Sequence, residues 1–596
     1  MSYQKPRAAG RGGGGGDYEG YAIGALALLA LALVVGAWGA AELAAATSGA
    51  PKPPGDPFEL LGDLAGHGRF AWAPADSYWA AGLGGGLFAL LVAVAFVVAW
   101  HQAKGHAIDR AARNLPTDRG LSRYRDAKAK LAPGVFSGPG PVIGALVPGA
   151  KLPLRATWED MLTVIAGPRT GKTTCYAVPA ILDAPGPVIV TSNKRDIVDA
   201  TRGAREAAAS ASGGRCWVFD PQGVAGAGAS WWWDPLSYVT DVRSARKLAA
   251  VWANASKEPG ERTDAYFDNA GQELLAQLLL AAASAGKAVS QVYRWLQDPD
   301  EEEPVQALAG AGHELSADGL RASIHLPDRQ RAGVYGTAAR VASFLSDPRV
   351  LEWVEGPGGT RPQFVPEALV GSQGTLYSLS REGEGSSGPL VTALTAAVLE
   401  AAEAKAAASV GGRLALPLLA VLDEVANVCR WRELPDLYSH YGSRGIVVLS
   451  ILQSWAQGEG CWGEQGMRKL WDASNVKVFA GGVSDLRFLE GLSQLYGEYE
   501  RMSRSRTSGP TGSSVSWSTQ RQRALSVDAL AAMPAGRAAV SLSGTRPVIV
   551  ETVPWMRRLD AAVVEASLAR YGGPGGHSGP ALPAPGLVAA AQGEGR

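Results

Sequence analysis

The chain is poor in the residues that build metal centres and disulfide frameworks. It has 4 cysteines and 7 histidines among 596 residues. No two cysteines form a Cys-x-x-Cys pair, and the histidines show no ligand spacing. A zinc site or a disulfide-stabilised fold is therefore not expected, and we interpret the cysteines as small buried hydrophobic side chains.

The chain also lacks an excess of either charge. Its 56 basic residues balance 56 acidic ones, so the formal net charge is zero. This excludes a basic field over the whole protein that would recruit nucleic acid, and any such contact must come from a local patch. The length is too great for a single core, so we expect an anchor, a large globular unit and a subdomain.

Two segments near the N-terminus contain no charged residue at all. Residues 21–41 and 77–100 are rich in Ala, Leu and Val, and each is close to the ~20 residues that cross a bilayer as a helix. A cleaved signal peptide is the alternative for the first segment. However, its apolar run exceeds the roughly 7–15 residues of a signal core, and a second span follows it.

The charges around these segments predict their orientation. Residues 51–76 hold two basic and four acidic residues, whereas residues 101–130 hold eight basic and three acidic ones. The N-terminal tail is basic as well, with Lys5, Arg7 and Arg11. By the positive-inside rule, we expect both termini in the cytoplasm and the chain in the cytoplasmic (inner) membrane, with a short loop outside.

Beyond residue 150 the pattern predicts an α/β unit. Short apolar runs indicate strands at 162–166, 187–191, 216–219, 375–379, 418–422, 446–451 and 476–480. We expect the following organisation: a flexible tail (1–20), a transmembrane hairpin (21–100), a cytosolic connector (101–150), a first part of the nucleotide-binding domain (151–240), a mostly helical insertion (241–348), a second part (349–571) and a disordered tail (572–596).

The sharpest motif follows the first predicted strand. It fits the phosphate-binding P-loop pattern, except that Ala166 replaces the first glycine. Loop N–H groups and a helix N-terminus can hold phosphates, Lys172 would reach the β- and γ-phosphates of ATP, and the Thr173 hydroxyl would ligate Mg²⁺. The predicted nucleotide-binding residues are Gly167, Pro168, Arg169, Thr170, Gly171, Lys172, Thr173, Thr174 and Asp423.

A second motif is the apolar run 418–422, which ends in Asp423 and Glu424. Beside a P-loop, this is the Walker B pattern: Asp423 would hold Mg²⁺ and Glu424 would polarise the attacking water. Gln453 follows the run 446–451 and would sense the γ-phosphate or position water, or it is an ordinary polar residue at a strand end. Arg444 precedes that run and is either an arginine finger or a surface ion-pair residue.

A local basic patch occurs near the C-terminus, in a stretch rich in Ser, Thr and Gly. Arginines can neutralise DNA phosphates, and an indole can stack on an unpaired base. The alternative is a flexible surface insertion with solvated arginines. The candidate DNA-binding residues are Arg501, Arg504, Arg506, Trp517, Arg521 and Arg523.

The order of these motifs resembles the type IV secretion coupling proteins, the conjugative DNA-transfer ATPases of the TraG/TraD type. The resemblance implies a RecA-like nucleotide-binding domain with an all-α insertion. It also implies a homo-hexamer at the membrane that works beside secretion channel proteins on single-stranded DNA carrying a relaxase. The segment Ser192–Arg195 departs from the Asp-Pro-Lys-Gly of many relatives, so no role is assigned to it. The alternatives are an FtsK-like double-strand translocase and a non-motor nucleotide-binding scaffold.

The orientation can be tested directly. A reporter inserted within residues 51–76 should read extracytoplasmic, and one placed after Arg110 should read cytoplasmic, because basic flanks are retained inside. Alkaline phosphatase and green fluorescent protein fusions measure the two sides. The reverse pattern would place residues 101–596 away from cytosolic ATP and defeat the ATPase hypothesis.

Overall fold

The computed structural model describes residues 106–573, apart from 113–114, 116–120, 126–135, 148–152, 258–263, 357, 360, 384 and 510–511, together with isolated positions before 106. The predicted spans at 21–41 and 77–100 and the tail at 1–20 lie outside the described residues, isolated positions excepted, as does the C-terminal tail from 574. Among the described residues, no helix is both long and apolar enough to cross a membrane.

An eleven-stranded sheet forms the centre of the fold. Its order is β2-β1-β13-β12-β9-β3-β8-β7-β4-β6-β5, and a separate hairpin contains β10 and β11. The strands are β1 Val142–Val147, β2 Pro153–Arg155, β3 Leu162–Ile165, β4 Val188–Ser192, β5 Cys216–Phe219, β6 Thr375–Leu379, β7 Leu418–Leu422, β8 Ile446–Leu452, β9 Val476–Phe479, β10 Glu498–Gly509, β11 Gly512–Arg523, β12 Arg537–Leu542 and β13 Val548–Glu551.

The seven strands from β9 to β5 in this order are all parallel. Every residue of β3, β4, β6, β7 and β8 is buried, as expected for a parallel sheet covered by helices on both faces. This is why the sequence shows continuous apolar runs there. All seven predicted strands form, with ends that differ by at most one residue.

Four antiparallel strands extend the sheet beyond β9 and were not predicted. β12 pairs with β9, β13 with β12, β1 with β13, and β2 with β1. β1 lies within residues 101–150, which the sequence indicated as a connector. That interpretation is wrong for 142–147: the flanking Pro and Gly residues mark turns around a strand rather than a linker.

Helices cover the sheet and fill the long connection between β5 and β6. They are α1 Ala107–Ala112, α2 Ser122–Arg125, α3 Val178–Asp183, α4 Asp196–Ala211, α5 Val242–Ala255, α6 Ala265–Ser284, α7 Ser290–Gln297, α8 Glu303–Gly310, α9 Glu314–Ile324, α10 Asp328–Val341, α11 Pro348–Val354, α12 Pro366–Val370, α13 Gly388–Ala408, α14 Val425–Val428, α15 Leu434–Tyr441, α16 Trp455–Ala473, α17 Leu486–Leu495, α18 Val527–Ala531 and α19 Ala561–Tyr571. A π-helical turn, Thr173–Ala177, precedes α3, and short 3₁₀ turns occupy Pro235–Tyr238, Ser343–Ser346, Val410–Gly412, Gly442–Arg444 and Trp555–Arg557.

The segment between β5 and β6 is helical where the structure describes it, from α5 to α12. Asp241 starts α5 with a capping box: its carboxylate accepts a hydrogen bond from the Ser244 N–H at 2.7 Å, and the Ser244 hydroxyl accepts from the Asp241 N–H. This satisfies N–H groups that a helix start leaves unpaired. Helix α6 buries Leu274, Leu275, Leu278 and Leu279 against its neighbours. The helices continue to residue 370, past the predicted boundary at 348.

The arginine-rich stretch near the C-terminus is an antiparallel hairpin. β10 and β11 pair along their whole length, from Glu498 opposite Arg523 to Gly509 opposite Gly512. The stretch is therefore paired β structure and not the loop that its composition suggested. Alternating Ser and Thr with larger residues gives this stretch enough β propensity to pair, although its polar composition is typical of a loop.

Candidate functional site

The predicted site residues lie together at the carboxyl edge of three adjacent parallel strands. β3, β8 and β7 are neighbours in the sheet, and each ends in a candidate residue or motif. The P-loop follows β3, Gln453 follows β8, and Asp423 with Glu424 follow β7. In open parallel sheets, ligands bind beyond this edge, so the topology brings together residues that are far apart in sequence.

The loop after β3 is held by backbone contacts. The Ala166 N–H donates to the Leu452 carbonyl at 2.9 Å, and the Gly167 N–H donates to the Gly481 carbonyl at 3.0 Å. A Cβ atom on Gly167 would lie 2.1 Å from the Gly482 carbonyl oxygen, so only glycine fits there. Ala166 lies buried among core residues without a positive φ, and alanine is accommodated in place of the usual first glycine.

The same loop ends in a strained turn before the helix. Gly171 has φ +90°, and Arg169 has φ 62° although it carries a side chain. The Thr170 hydroxyl donates to the Gly167 carbonyl at 2.8 Å and closes the loop. Helical geometry begins at Thr173 with a π-helical turn, and Arg169 is exposed. Backbone strain of this kind is typical of loops that bind ligands.

Lys172 and Glu424 form a buried ion pair across the site. Lys172 is 9% exposed and Glu424 2% exposed, and the Lys172 ammonium contacts Glu424 Oε1. Gln453 Nε2 donates to the same oxygen at 2.7 Å. Glu424 itself has φ 50° and starts α14 from a left-handed conformation. The structure thus brings Lys172, Glu424 and Gln453 into direct contact.

Asp423 lies beside this pair and is 3% exposed. Its Oδ2 accepts a hydrogen bond from the Ser192 hydroxyl at 3.4 Å. Burial, and next the neighbouring Glu424 carboxylate, raise the pKa of Asp423 to about 7. Ionising two buried, neighbouring carboxylates at once costs free energy unless a cation lies between them.

The residues present fit a magnesium nucleotide. Asp423 Oδ1 and Glu424 Oε2 are buried and have no hydrogen-bond partner among the described atoms, and carboxylate oxygens are the ligands that Mg²⁺ prefers. Thr173, half-buried at the helix start, lies at the position from which a hydroxyl ligates the metal. The N–H groups of the loop between Gly167 and Lys172 would hold the phosphates.

The Ser192–Arg195 segment, to which the sequence assigned no role, contacts the site. Besides the Ser192 contact with Asp423, the Asn193 amide donates to Glu382 Oε1 at 2.6 Å, and Asn427 donates to the same oxygen at 3.0 Å. This segment ends β4, next to β7 in the sheet. A polar residue at the end of each neighbouring buried strand was the available signal, since parallel strand ends meet at one edge.

Arg444 is remote from the site of its own chain. It ends the 3₁₀ turn Gly442–Arg444 before β8, at the amino edge of the sheet, and forms an ion pair with Glu403. Its side chain is 34% exposed. Any contact of Arg444 with a nucleotide would have to be with one bound to another copy of the chain.

The candidate DNA-binding residues lie together on the hairpin, which is a two-stranded sheet separate from the main one. Arg501 is opposite Gln520, Arg504 opposite Trp517, and Arg506 opposite Val515. Arg521 and Arg523 form long ion pairs, with N–O distances of 3.9 Å to Glu500 and 3.7 Å to Glu498. Trp517 is 62% exposed and Met502 70% exposed.

Comparisons with known proteins agree with this architecture. A family profile described as the TraM recognition site of TraD and TraG matches residues 417–535, from the start of β7 to just past α18. A solved structure of the bacterial conjugative coupling protein TrwB in an unbound form is 18% identical, with 74% of this chain and 92% of that chain covered and a TM-score of 0.51. No curated protein sequence matches the chain.

Two further structures of the plasmid coupling protein TrwB carry nucleotides. One is a complex with the non-hydrolysable ATP analogue ADPNP, and the other a complex with ADP and Mg²⁺. Each is 17% identical, covers 74% of this chain and 93% of the other, and has a TM-score of 0.50. At this identity the likeness establishes the fold.

The fold and the site define an α/β protein of the RecA-like type, with a phosphate-binding type of loop at the carboxyl edge of its sheet. The profile matched over residues 417–535 and the shared fold are both similarities to type IV coupling proteins. The resemblance inferred from the sequence is confirmed. The roles of the individual site residues remain predictions.

The raised pKa of Asp423 predicts how stability depends on pH. An acid that holds its proton more tightly when folded stabilises the fold below its unfolded pKa of 3.8, and this contribution is lost as pH rises through about 7. Within this window, each step of one pH unit removes at most about 1.4 kcal/mol of stability. Asp423→Asn removes the titration, so between pH 4 and 7 the nucleotide-free wild type should lose Tm faster than the variant. Parallel Tm profiles would show that Asp423 titrates normally.

Proposed function

We propose that the chain is a membrane-anchored ATPase that couples a DNA substrate, with its relaxase, to a type IV secretion channel and drives its transfer. The observation that carries this proposal is the Lys172–Glu424–Gln453 contact beside Asp423, assembled on a coupling-protein fold. The nucleotides bound to TrwB support ATP and Mg²⁺ as the ligands here. The match to a TraM recognition site supports a partner from the DNA-processing machinery.

The site residues divide the catalytic work. Lys172 and the loop N–H groups bind the phosphates and compensate charge that develops during phosphoryl transfer. Thr173 and Asp423 would hold Mg²⁺, which supplies charge neutralisation between the phosphate oxygens. Glu424 orients and polarises the attacking water, and Gln453, bonded to Glu424, fixes that carboxylate in position.

The ion pair also suggests how the availability of the Glu424 carboxylate depends on nucleotide. Glu424 Oε1 is shared by Lys172 and Gln453. When the γ-phosphate attracts Lys172, this oxygen loses its cation and becomes available to water. Nucleotide binding therefore also frees the Glu424 carboxylate to orient water.

Arg444 fits a role between subunits. It is at the amino edge of β8, where its guanidinium forms an ion pair with Glu403. In a homo-hexameric ring this edge would face the carboxyl edge of a neighbour, and Arg444 would exchange Glu403 for the γ-phosphate. Arginine fingers supplied in this way stabilise transition-state charge.

An FtsK-like translocase of double-stranded DNA is the second candidate function. The hairpin favours single-stranded DNA instead, because its exposed Trp517 offers a face on which an unpaired base can stack. A non-motor scaffold would not need Glu424 in its strained left-handed conformation at a strand end.

The first prediction for this function concerns Glu424→Gln. The change removes the water-orienting carboxylate but keeps Asp423, so ATP hydrolysis by the full chain should fall by ~10²–10⁴-fold. Affinity for ATP should be retained or increased, because Lys172 no longer has a competing carboxylate. Hydrolysis is measured by phosphate release and affinity with a fluorescent nucleotide.

Lys172→Ala is the matched control at the other end of the same ion pair. It should lose both nucleotide affinity and hydrolysis while the protein still reaches the membrane, since the lysine acts on the phosphates. Near-wild-type hydrolysis in Lys172→Ala would remove the P-loop assignment, whereas normal hydrolysis in both Glu424→Gln and Asp423→Asn would reduce the acidic pair to a polar strand end.

The second prediction concerns the hairpin. Replacing Arg501, Arg504, Arg506, Arg521 and Arg523 with glutamine should weaken binding of a single-stranded oligonucleotide and flatten its salt dependence. Each phosphate contact contributes about 0.7 to the slope of log affinity against log salt. Fluorescence anisotropy across a salt series measures both, and basal ATP hydrolysis reports on folding.

Three exposed arginines in local ion pairs serve as the control: Arg321, Arg349 and Arg468. Changing them to glutamine removes a similar kind of charge from other surfaces, and DNA affinity should stay near that of the wild type. If the hairpin variant keeps the wild-type affinity and slope, the hairpin has no part in DNA binding.

A further inference from the structure

A polar cavity lies where the helical segment meets the chain that follows α14. It has a volume of 310 Å³ and is lined by α5, α6, α10 and Arg432. Three cationic side chains line it, Lys257, Arg340 and Arg432, against the single carboxylate of Asp268. In a chain without net charge, this is a local positive site large enough for one phosphorylated sugar.

Several of its polar side chains have unused hydrogen-bonding capacity. Asp268 is paired with Lys257 at 3.1 Å. The side chains of Asn254, Gln272 and Arg432, in contrast, have no hydrogen-bond or ion-pair partner within the part of the chain that the structure describes. Amide groups and a guanidinium that converge on one cavity form a set of donors suited to phosphate oxygens.

The cavity is joined to the catalytic carboxylate by a short chain of contacts. Glu424 starts α14, and its carbonyl accepts hydrogen bonds from the Asn427 and Val428 N–H groups at 2.8 and 3.0 Å. Just after this helix, the Arg430 guanidinium donates to the Ala426 carbonyl at 3.1 Å and to the Lys257 carbonyl. A ligand that shifts Lys257 therefore acts on the helix that positions Glu424.

We propose that this cavity binds a backbone phosphate of the transported DNA and reports its presence to Glu424 through Lys257 and Arg430. This inference rests on the proposed function. It assigns to the helical segment a phosphate site separate from the P-loop and from the hairpin. ATP hydrolysis is stimulated when a DNA phosphate occupies the cavity, and this stimulation is lost when the DNA leaves.

The test uses the full chain in detergent, with oligo-dT as the DNA probe. Arg432→Gln should lower the affinity for oligo-dT several-fold, reduce the salt slope by about 0.7 and reduce the ratio of DNA-stimulated to basal hydrolysis. Gln272→Glu, which adds a carboxylate to the cavity, should act in the same direction. Arg432→Lys should retain most of the salt slope, because it keeps the charge. Arg349→Gln, on an exposed arginine paired with Asp347, is the control and should resemble the wild type.

A second measurement separates DNA from free phosphate as the source of the ligand. In a Lys172→Ala background, inorganic phosphate that binds the cavity raises Tm, and Arg432→Gln should abolish that rise. Loss of the Tm rise with unchanged oligo-dT binding supports the phosphate site but assigns it to free phosphate or nucleotide. If Arg432→Gln and Gln272→Glu change neither measurement, the proposal is overturned. Failure of the wild type to bind oligo-dT would instead contradict the proposed function, and the Tm measurement would still decide on the cavity.

Discussion

The rest of the structure depends on how three charged side chains are buried at the carboxyl edge of the parallel sheet. Lys172, Asp423 and Glu424 are each at most 9% exposed, and burying charge without a partner costs several kcal/mol. The sheet tolerates them because Lys172 and Gln453 compensate Glu424, and because Asp423 holds its proton up to about pH 7. A magnesium nucleotide would supply a cation for the Asp423 carboxylate and a phosphate for Lys172. We therefore expect both the protonation of Asp423 and the Lys172–Glu424 contact to change on binding.

The backbone around Lys172, Asp423 and Glu424 holds these side chains close together. Gly167 brings the P-loop against Gly481 and Gly482 at the end of β9, and the left-handed Glu424 turns the chain directly from β7 into α14. From there, Arg430 connects the site to the helical segment at Lys257. Glu424, the helical segment and the polar cavity are thus separated by only a few hydrogen bonds, which is the arrangement that the proposed coupling of hydrolysis to DNA requires.

The elements that could be predicted from sequence are those whose burial is complete. Runs such as 418–422 are apolar throughout because both faces of a parallel strand are covered, so their positions and the motifs at their ends were predictable. β1 is apolar as well, but it contains Gly144 and lies between Pro- and Gly-rich turns that suggest a linker, and β2 has only three residues. The hairpin 498–523 is polar because it does not join the main sheet, and its composition is that of a loop. Ser192 at the end of β4 carried only the general signal of a polar residue at a buried strand end, and contacts such as that of Arg430 with Lys257 depend on the three-dimensional arrangement and leave no pattern in sequence.

The most direct test of the account is calorimetric binding of a non-hydrolysable ATP analogue to the full chain near pH 7, with and without Mg²⁺, in buffers of different ionisation enthalpy. Because the pKa of Asp423 is raised to about 7, much of this carboxyl is protonated at that pH, whereas a metal ligand must be deprotonated. Binding should therefore require Mg²⁺ and release protons in the wild type. Asp423→Asn should abolish the proton release. Binding that is independent of Mg²⁺, or that releases no proton in the wild type, would contradict the assignment of the buried carboxylates to a magnesium nucleotide.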